Sequence, residues 1–414
     1  MTRAGYKITE IGEIPEDWEI KKIKDVCSII RGNEPGSKSY NNSGKGYKFI
    51  RVSDVSKKVL KSVFVDSNPN KLIFCNKNDV LLVLDGVPGV VAKDFEGAIS
   101  SGIRIIKPKT NKICNNFLFY ILQHRDVQII IENYTKGTTI KHANNAVDYI
   151  NIPLPSLPEQ QKIAAILSTA DDEIQKVDEQ VAMTEQIKKG LMQKLLTRGI
   201  GHTKFKMTKI GEIPEEWDTF GLGEIFKTIT GTTPSTKVKD YWHGGTIEWL
   251  TPKDLNKLNN TITLPPSERK VTEKALKENN LNILPENSIL ISTRAPVGYV
   301  GINNTKITFN QGCKGLVPLN RDVSFPFFYA YYLKSKTTFL NSLSTGSTFK
   351  ELSKEGLDDV VVPLPPLPEQ QKIGEILSTV DNKLELLGNK REKLNVLKKG
   401  LMNDLFTGKV RVKV

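Results

Sequence analysis

Pro153-Leu154-Pro155-Ser156-Leu157-Pro158-Glu159-Gln160-Gln161-Lys162-Ile163 returns 210 residues later as Pro363 to Ile373, with ten of eleven residues identical. Toward the C-terminus, Lys188-Lys189-Gly190-Leu191-Met192 returns as Lys398 to Met402 at the same offset. Toward the N-terminus, Ile11-Gly12-Glu13-Ile14-Pro15-Glu16-Asp17-Trp18 returns as Ile210 to Trp217, at an offset of 199 and with seven of eight residues identical. The chain is therefore a duplication. Between the first and last matched blocks the second copy is 11 residues longer, and there identity nearly vanishes. Weak echoes survive, Phe49 to Asp54 against Trp249 to Asp254 and Gly102 to Pro108 against Gly312 to Pro318. Uniform drift would not leave near-identical blocks beside unrecognisable ones. Two parts do the same job and two do different jobs.

The constant blocks read as long helices. After Pro158, apolar or small residues fall at Ile163, Ile166, Ala170, Ile174, Val177, Val181, Thr184, Ile187, Leu191 and Leu195, a spacing that suits a coiled-coil seam. The second copy offers Ile373 to Leu405 in the same rhythm, with Thr184 and Arg391 as flaws and Gly199 and Gly408 as stops. A helix with so narrow an apolar stripe needs a partner. Pairing of the two with each other, antiparallel under a pseudo-two-fold, is the economical solution; each lying on its own domain is the alternative.

The variable segments read as mixed α/β domains. Short strands are expected around Lys48–Val52, Val80–Leu84, Val87–Ala92 and Gly102–Lys107, and around Thr246–Leu250, Ser288–Ser292, Tyr299–Ile302 and Lys314–Pro318. A helix is expected over Phe117–Tyr134 and another over Phe325–Phe339. The domain plan is 1–156, a first long helix over 157–199, a second variable domain over 200–366, and a second long helix with tail over 367–414.

The 414 residues carry 59 basic and 46 acidic side chains, a net charge of +13 that favours polyanionic partners. No apolar run is long enough for a membrane span, no N-terminal secretion signal is visible, and four scattered cysteines form no disulfide framework; a cytoplasmic protein is expected. Catalytic motifs fail. Gly32 to Ser39 nearly matches a phosphate-binding loop but has Ser37 where the second glycine should stand. Asp254, Glu268 and Lys270 have the spacing of a metal-dependent nuclease, with the proline displaced to Pro252. No amino-methyltransferase segment occurs, and the four histidines lack ligand spacing. The expected metal and cofactor set of the chain itself is none.

What remains favours binding. Loop-like stretches mix Lys and Arg with small polar residues and tyrosine, a combination that neutralises phosphates and reads base edges. The candidates are Arg31, Lys38, Lys45, Lys48, Arg51, Lys136 and Lys141 in the first copy, and Thr233, Lys237, Lys239, Tyr241, Arg294 and Lys350 in the second. Lys188, Lys189, Lys398 and Lys399 are the candidates for a protein partner.

The paired Ile-Gly-Glu-Ile-Pro-x-x-Trp and Pro-Leu-Pro-x-Leu-Pro-Glu-Gln-Gln blocks, with the long helices after them, resemble the specificity subunit of type I restriction-modification systems. Gly231-Thr232-Thr233-Pro234-Ser235 with Tyr241-Trp242 is similar to that family's GxTPS…YW stretch; the first copy departs at Asn33-Glu34-Pro35-Gly36 and keeps only Tyr40. The resemblance implies two α/β target-recognition domains separated by two long antiparallel coiled-coil helices, each domain reading half of a bipartite, asymmetric site in double-stranded DNA. It implies no catalysis by this chain, recruitment of two adenine-methyltransferase subunits and through them restriction subunits, and S-adenosylmethionine, ATP and Mg on those partners. The rod would fix the half-sites about one DNA turn apart. A duplicated coiled-coil scaffold without DNA binding and a nuclease are the alternatives.

Overall fold

The computed structural model describes residues 3–9, 11–57, 63–258, 261–344 and 351–413. The chain divides into two units, residues 1–177 with 390–414, and residues 178–389. The units do not end where the variable segments end. Each takes one half of each long helix, Leu157–Arg198 and Leu367–Phe406. Within the first unit Ile163, Ala164 and Leu167 share a core with Met402, Leu405 and Phe406. Within the second, Leu195 and Leu196 share one with Ile373 and Leu377. The start of each helix thus packs on the end of the other, which makes the pair antiparallel. At 1.5 Å per residue, 42 and 40 residues give helices about 60 Å long. Gly199 and Gly408 end them at φ +63° and +66°, a left-handed cap that a side chain would strain.

Both units are built on one frame. In the first, the antiparallel sheet runs Val91–Ala92, Val80–Val83, Ile103–Pro108, Cys27–Arg31. In the second it runs Val300–Ile302, Ile289–Ser292, Cys313–Pro318, Phe226–Thr230. The register repeats too: Ile105 faces Ile30 and Leu81, and Gly315 faces Ile229 and Leu290. Beside it, Gly97–Ile99 lies parallel to Tyr47–Ile50, as Thr308–Phe309 lies parallel to Ile247–Leu250. The expected strands are present within a residue or two, except that Val87–Ala92 is a turn with only Val91–Ala92 extended. Each expected aromatic helix is broken in two, Asn115–Ile121 with Arg125–Asn133, and Pro326–Ser335 with Thr337–Ser342.

The constant motifs close each unit. Glu19–Lys22 pairs with Asn151–Leu154, and Asp218–Gly221 with Val361–Leu364, so the strand after each Trp motif meets the strand that leads into the long helix. The buried indoles of Trp18 and Trp217 donate to Glu159 (3.1 Å) and Glu369 (2.9 Å) in the first turns of those helices. The next residue is an internal staple. Gln160, fully buried, accepts from the Cys114 N–H (2.8 Å) and donates to the carbonyls of Lys112 and Pro155 (2.9 Å each). Gln370 does the same with the Phe325 N–H (2.8 Å) and the carbonyls of Val323 (2.9 Å) and Pro365 (2.8 Å).

The Glu159 carboxylate is completed from the C-terminal tail. Arg411 donates to Glu159 (2.8 and 3.1 Å) and, with both terminal nitrogens, to Asp17 (2.9 and 2.8 Å). In the second unit the equivalent contact comes from His202, at 2.9 and 3.0 Å from Glu369, with the Ile200 N–H at 2.7 Å.

Replacing Gln370 by leucine strands a buried N–H and two carbonyls, each at about 1–3 kcal/mol. Urea unfolding is expected to show Gln370→Leu destabilised by about 3 kcal/mol or more, and Gln371→Leu, on the exposed neighbour, shifted by less than about 0.5. The tail should respond to acid. Hydrogen bonds from Arg411 hold the Asp17 carboxyl below its ordinary value despite slight desolvation. A group depressed in the folded state stabilises above its unfolded pKa, and that contribution is lost as pH falls through the folded one. Protection of the amides across 408–413 from hydrogen exchange, relative to their intrinsic rates, should therefore fall below about pH 4. In Arg411→Ala it should be low at neutral pH as well.

Candidate nucleic-acid interface

In the second unit the loop after Phe226–Thr230 is moulded by close backbone approach and two tryptophans. A Cβ on Gly231 would lie 2.4 Å from the Phe309 carbonyl oxygen and 2.2 Å from that of Asn310. Trp249 donates to the Thr232 carbonyl and Trp242 to that of Ser235, both at 3.1 Å. The indoles meet edge-on at 5.0 Å, and the Arg269 guanidinium lies 3.5 Å above the Trp242 ring. This explains the Gly-Thr-Thr-Pro-Ser…Tyr-Trp spacing: the tryptophan holds the loop that precedes it. Exposed Thr233 donates to Gln311, and Tyr241 donates to Glu278 (2.8 Å). Lys237 and Lys239 are exposed on the same stretch.

The first unit makes the same turn with different residues. A Cβ on Gly32 would lie 2.5 Å from the Ile99 carbonyl oxygen and 2.2 Å from that of Ser100. The glycine that suggested a phosphate loop is required by that approach. Tyr40 packs on Phe49 at 5.2 Å and donates to Glu34, whose carboxylate also accepts from the Ser101 N–H (3.0 Å). Lys38, Lys45 and Lys48 are exposed nearby, Lys45 pairing with Asp66 at 2.6 Å.

Arg31 and Arg51 line a cleft of about 750 Å³ with Asp85 and His142. Asp85 accepts from His142 (2.7 Å), Asn144 (2.9 Å) and buried Arg104 (3.1 Å), with Arg31 at 3.9 Å. Burial raises the Asp85 carboxyl, but these donors outweigh it and leave its pKa lowered. Lys136 and Lys141 are exposed on the bridge beside it. Arg294 pairs with Glu351 at 3.0 Å. Lys350 lies outside the described residues.

The nuclease arrangement dissolves into structural contacts. Buried Asp254 caps the short helix Pro252–Leu255, accepting from the Thr251 N–H and hydroxyl (2.9 and 2.8 Å) and from the Glu268 N–H (3.0 Å). Asp54 makes the same cap with the Arg51 N–H (2.9 Å). Glu268 pairs with Lys253 and Lys257, and Lys270 with Glu248.

A model of the type I restriction modification DNA specificity domain matches residues 15–183 and again 214–396. The chain belongs to that family. The MjaX specificity subunit of Methanocaldococcus jannaschii is 32% identical over 435 residues, covering 99% of this chain and 97% of its own length. The MjaVIII type I restriction enzyme specificity subunit of the same organism is 30% identical over 97% of this chain and 94% of its own. The fold is that of the crystallised type I S subunit from M. genitalium, with a TM-score of 0.63 at 18% identity over 98% of this chain and 99% of that one.

This chain is accordingly the DNA specificity subunit of a type I restriction-modification enzyme, a non-catalytic part that assembles with the other subunits and with DNA. In such systems the cofactors are bound by the partner subunits. Among the described residues, no helix is long and apolar enough to cross a membrane.

Of the four lysines assigned to a partner, the structure turns two inward. Lys188 is 5% exposed, pairs with Asp381, and lies 5.7 Å from the Tyr331 ring, whose hydroxyl donates to Asp381 at 2.8 Å. Lys398 lies 2.5 Å from Asp171 and 5.3 Å from the Tyr120 ring, whose hydroxyl donates to Asp171 at 2.9 Å. Burial, then the carboxylate, pushes both phenols upward, so each remains a donor. Lys189 and Lys399 are exposed. The seam shifts with them: Ile187 and Leu397, expected inside, are 52% and 55% exposed. The carboxylate facing each helix, buried Asp381 or half-buried Asp171, takes the cation, and the apolar neighbour turns out.

Neither these triads nor Glu159, Gln160, Arg411 and His202 was singled out from sequence, although the glutamates, glutamines and lysines stand in the repeated blocks. Lys188→Met alone should lower stability by about 3–5 kcal/mol by stranding Asp381. The double variant Lys188→Met/Asp381→Asn, which keeps an acceptor for Tyr331, should recover most of that in urea titrations.

Proposed function

We propose that residues 1–156 and 200–366 are target-recognition domains, each reading one half of a bipartite, asymmetric site in double-stranded DNA. The observation that carries this is a shared four-stranded sheet, alike in strand order and register, bearing different polar groups at matching positions around it. Arg31, Lys38, Lys45, Lys48, Arg51, Lys136 and Lys141 are the DNA-facing set of the first domain. Thr233, Lys237, Lys239, Tyr241, Arg294 and Lys350 are that of the second. The lysines neutralise phosphates, and the arginines reach bases.

The outward faces of the long helices hold two adenine-methyltransferase subunits, and through them restriction subunits. Exposed Met183, Ile187 and Leu386 in one unit, and Val396 and Leu397 in the other, support this docking, with Lys189 and Lys399 beside them. S-adenosylmethionine, ATP and Mg act on those partners, in the cytoplasm.

The test is co-purification with the methyltransferase encoded beside this chain, then methylation mapping of plasmid DNA. A split, asymmetric motif with marked adenines is expected, and exchanging residues 200–366 for those of a relative should change one half only. A contiguous palindrome, or binding that does not weaken steeply with salt, would overturn the reading.

A further inference from the structure

The repeated frame allows position-by-position comparison of the two domains, and it shows the charges relocated. Arg31 ends the strand Cys27–Arg31, where the second domain has Thr230. Arg51 precedes the Asp54 cap, where the second domain has Thr251 before Asp254. Asp85 continues the strand Val80–Val83 and bridges to His142; in its place Arg294 follows Ile289–Ser292 and bridges to Glu351. Cations at two corners and an anion at the third become hydroxyls at two corners and a cation at the third.

Each of these arginines has a carboxylate within ion-pair distance, Arg51 lying 3.5 Å from Asp54. Arg31 donates to the Ser101 carbonyl at 3.3 Å and lies 3.9 Å from Asp85, with its side chain 62% exposed. The Arg294 Nε lies 3.0 Å from Glu351, with its side chain 47% exposed. A carboxylate beside an arginine weakens its pull on a phosphate but fixes the plane of its fork, and that plane is what a guanine edge requires. In the cleft wall the Ser100 hydroxyl, on a residue 5% exposed, has no hydrogen-bond partner among the described residues. A buried polar group so placed calls for a ligand or a water.

We infer that Arg31 and Arg51 in the first domain and Arg294 in the second are the guanine-reading side chains, with Asp85, Asp54 and Glu351 beside them in that order as positioning residues. The two domains then read guanine from different corners of one frame. This rests on the DNA-reading function proposed above.

The experiment uses the full chain in complex with its methyltransferase, and maps adenine methylation on plasmid libraries randomised in each half-site. Arg294→Gln and Arg294→Lys should each lose roughly 5- to 100-fold discrimination at one guanine of the half governed by residues 200–366. The other half should be unchanged. Arg31→Gln and Arg51→Gln should do the same in the opposite half, and Glu351→Gln should relax the same guanine as Arg294→Gln. Thermal melting checks that each variant folds. If lysine restores the wild-type motif, or if glutamine lowers methylation uniformly and reduces the salt slope by about one, the arginines are phosphate clamps and the inference fails. If no variant alters the motif, it also fails. If the unmodified complex marks no split sequence, the proposed function itself falls, whatever the variants do.

Discussion

A carboxylate in the first turn of each long helix is the contact on which each unit depends. Glu159 and Glu369 receive the indole N–H of a tryptophan that stands 141 and 152 residues earlier. Each also receives a charged or titratable side chain, Arg411 or His202, from the segment that follows the end of a long helix. Three distant parts of the chain converge on one acceptor near the helix N-terminus, where negative charge is favoured. The neighbouring glutamine satisfies a buried N–H and two carbonyls in the same place. Loss of either residue leaves orphaned donors in a closed interior, and that cost explains why these blocks stayed nearly identical while the domains between them diverged.

The second constraint is the pairing of the helices. Apolar seams slide, because many registers bury similar area. An ammonium opposite a carboxylate within the interface is satisfied in one register alone. Buried Lys188 with Asp381, and half-buried Lys398 with Asp171, serve as such pins, and each tyrosine ties the pin to the aromatic helix of the recognition domain. The pins contribute specificity more than net stability, since desolvating the charges offsets much of their attraction. They also go with Ile187 and Leu397 turned outward, an exposed apolar side chain close to an exposed lysine on each helix.

Much of this was legible in the sequence because duplication acts as an internal control. Identity at Pro153–Ile163 and Pro363–Ile373 marked the helix entries, apolar spacing gave both helices, and the duplication itself, through a pseudo-two-fold, gave their antiparallel pairing. The strands followed from short apolar runs between turns. The aromatic helices were expected unbroken, because their breaks at Leu122–His124 and Lys336 are set by tertiary packing, with no proline or glycine to announce them. The seam erred by one residue at Ile187 and Leu397, since periodicity prefers an isoleucine to a lysine and cannot see Asp381 across the interface. The nuclease spacing of Asp254, Glu268 and Lys270 was equally blind to the cap and ion pairs that occupy those groups.

Invariance and variation are therefore separated by physics as well as by sequence. The buried hydrogen bonds at Glu159, Gln160 and their counterparts hold the edges of each sheet, and Gly32 and Gly231 hold the loop above it by allowing backbone to touch backbone. With the frame fixed at those points, the corners at residues 31, 51 and 85, or 230, 251 and 294, carry different side chains in the two domains. Where the second domain has an arginine in place of Asp85, the bridging partner changes from His142 to Glu351 and Arg104 is replaced by Lys314. A protein whose task is to be the same toward its partners and different toward DNA needs that division. Here it is drawn by which groups are buried.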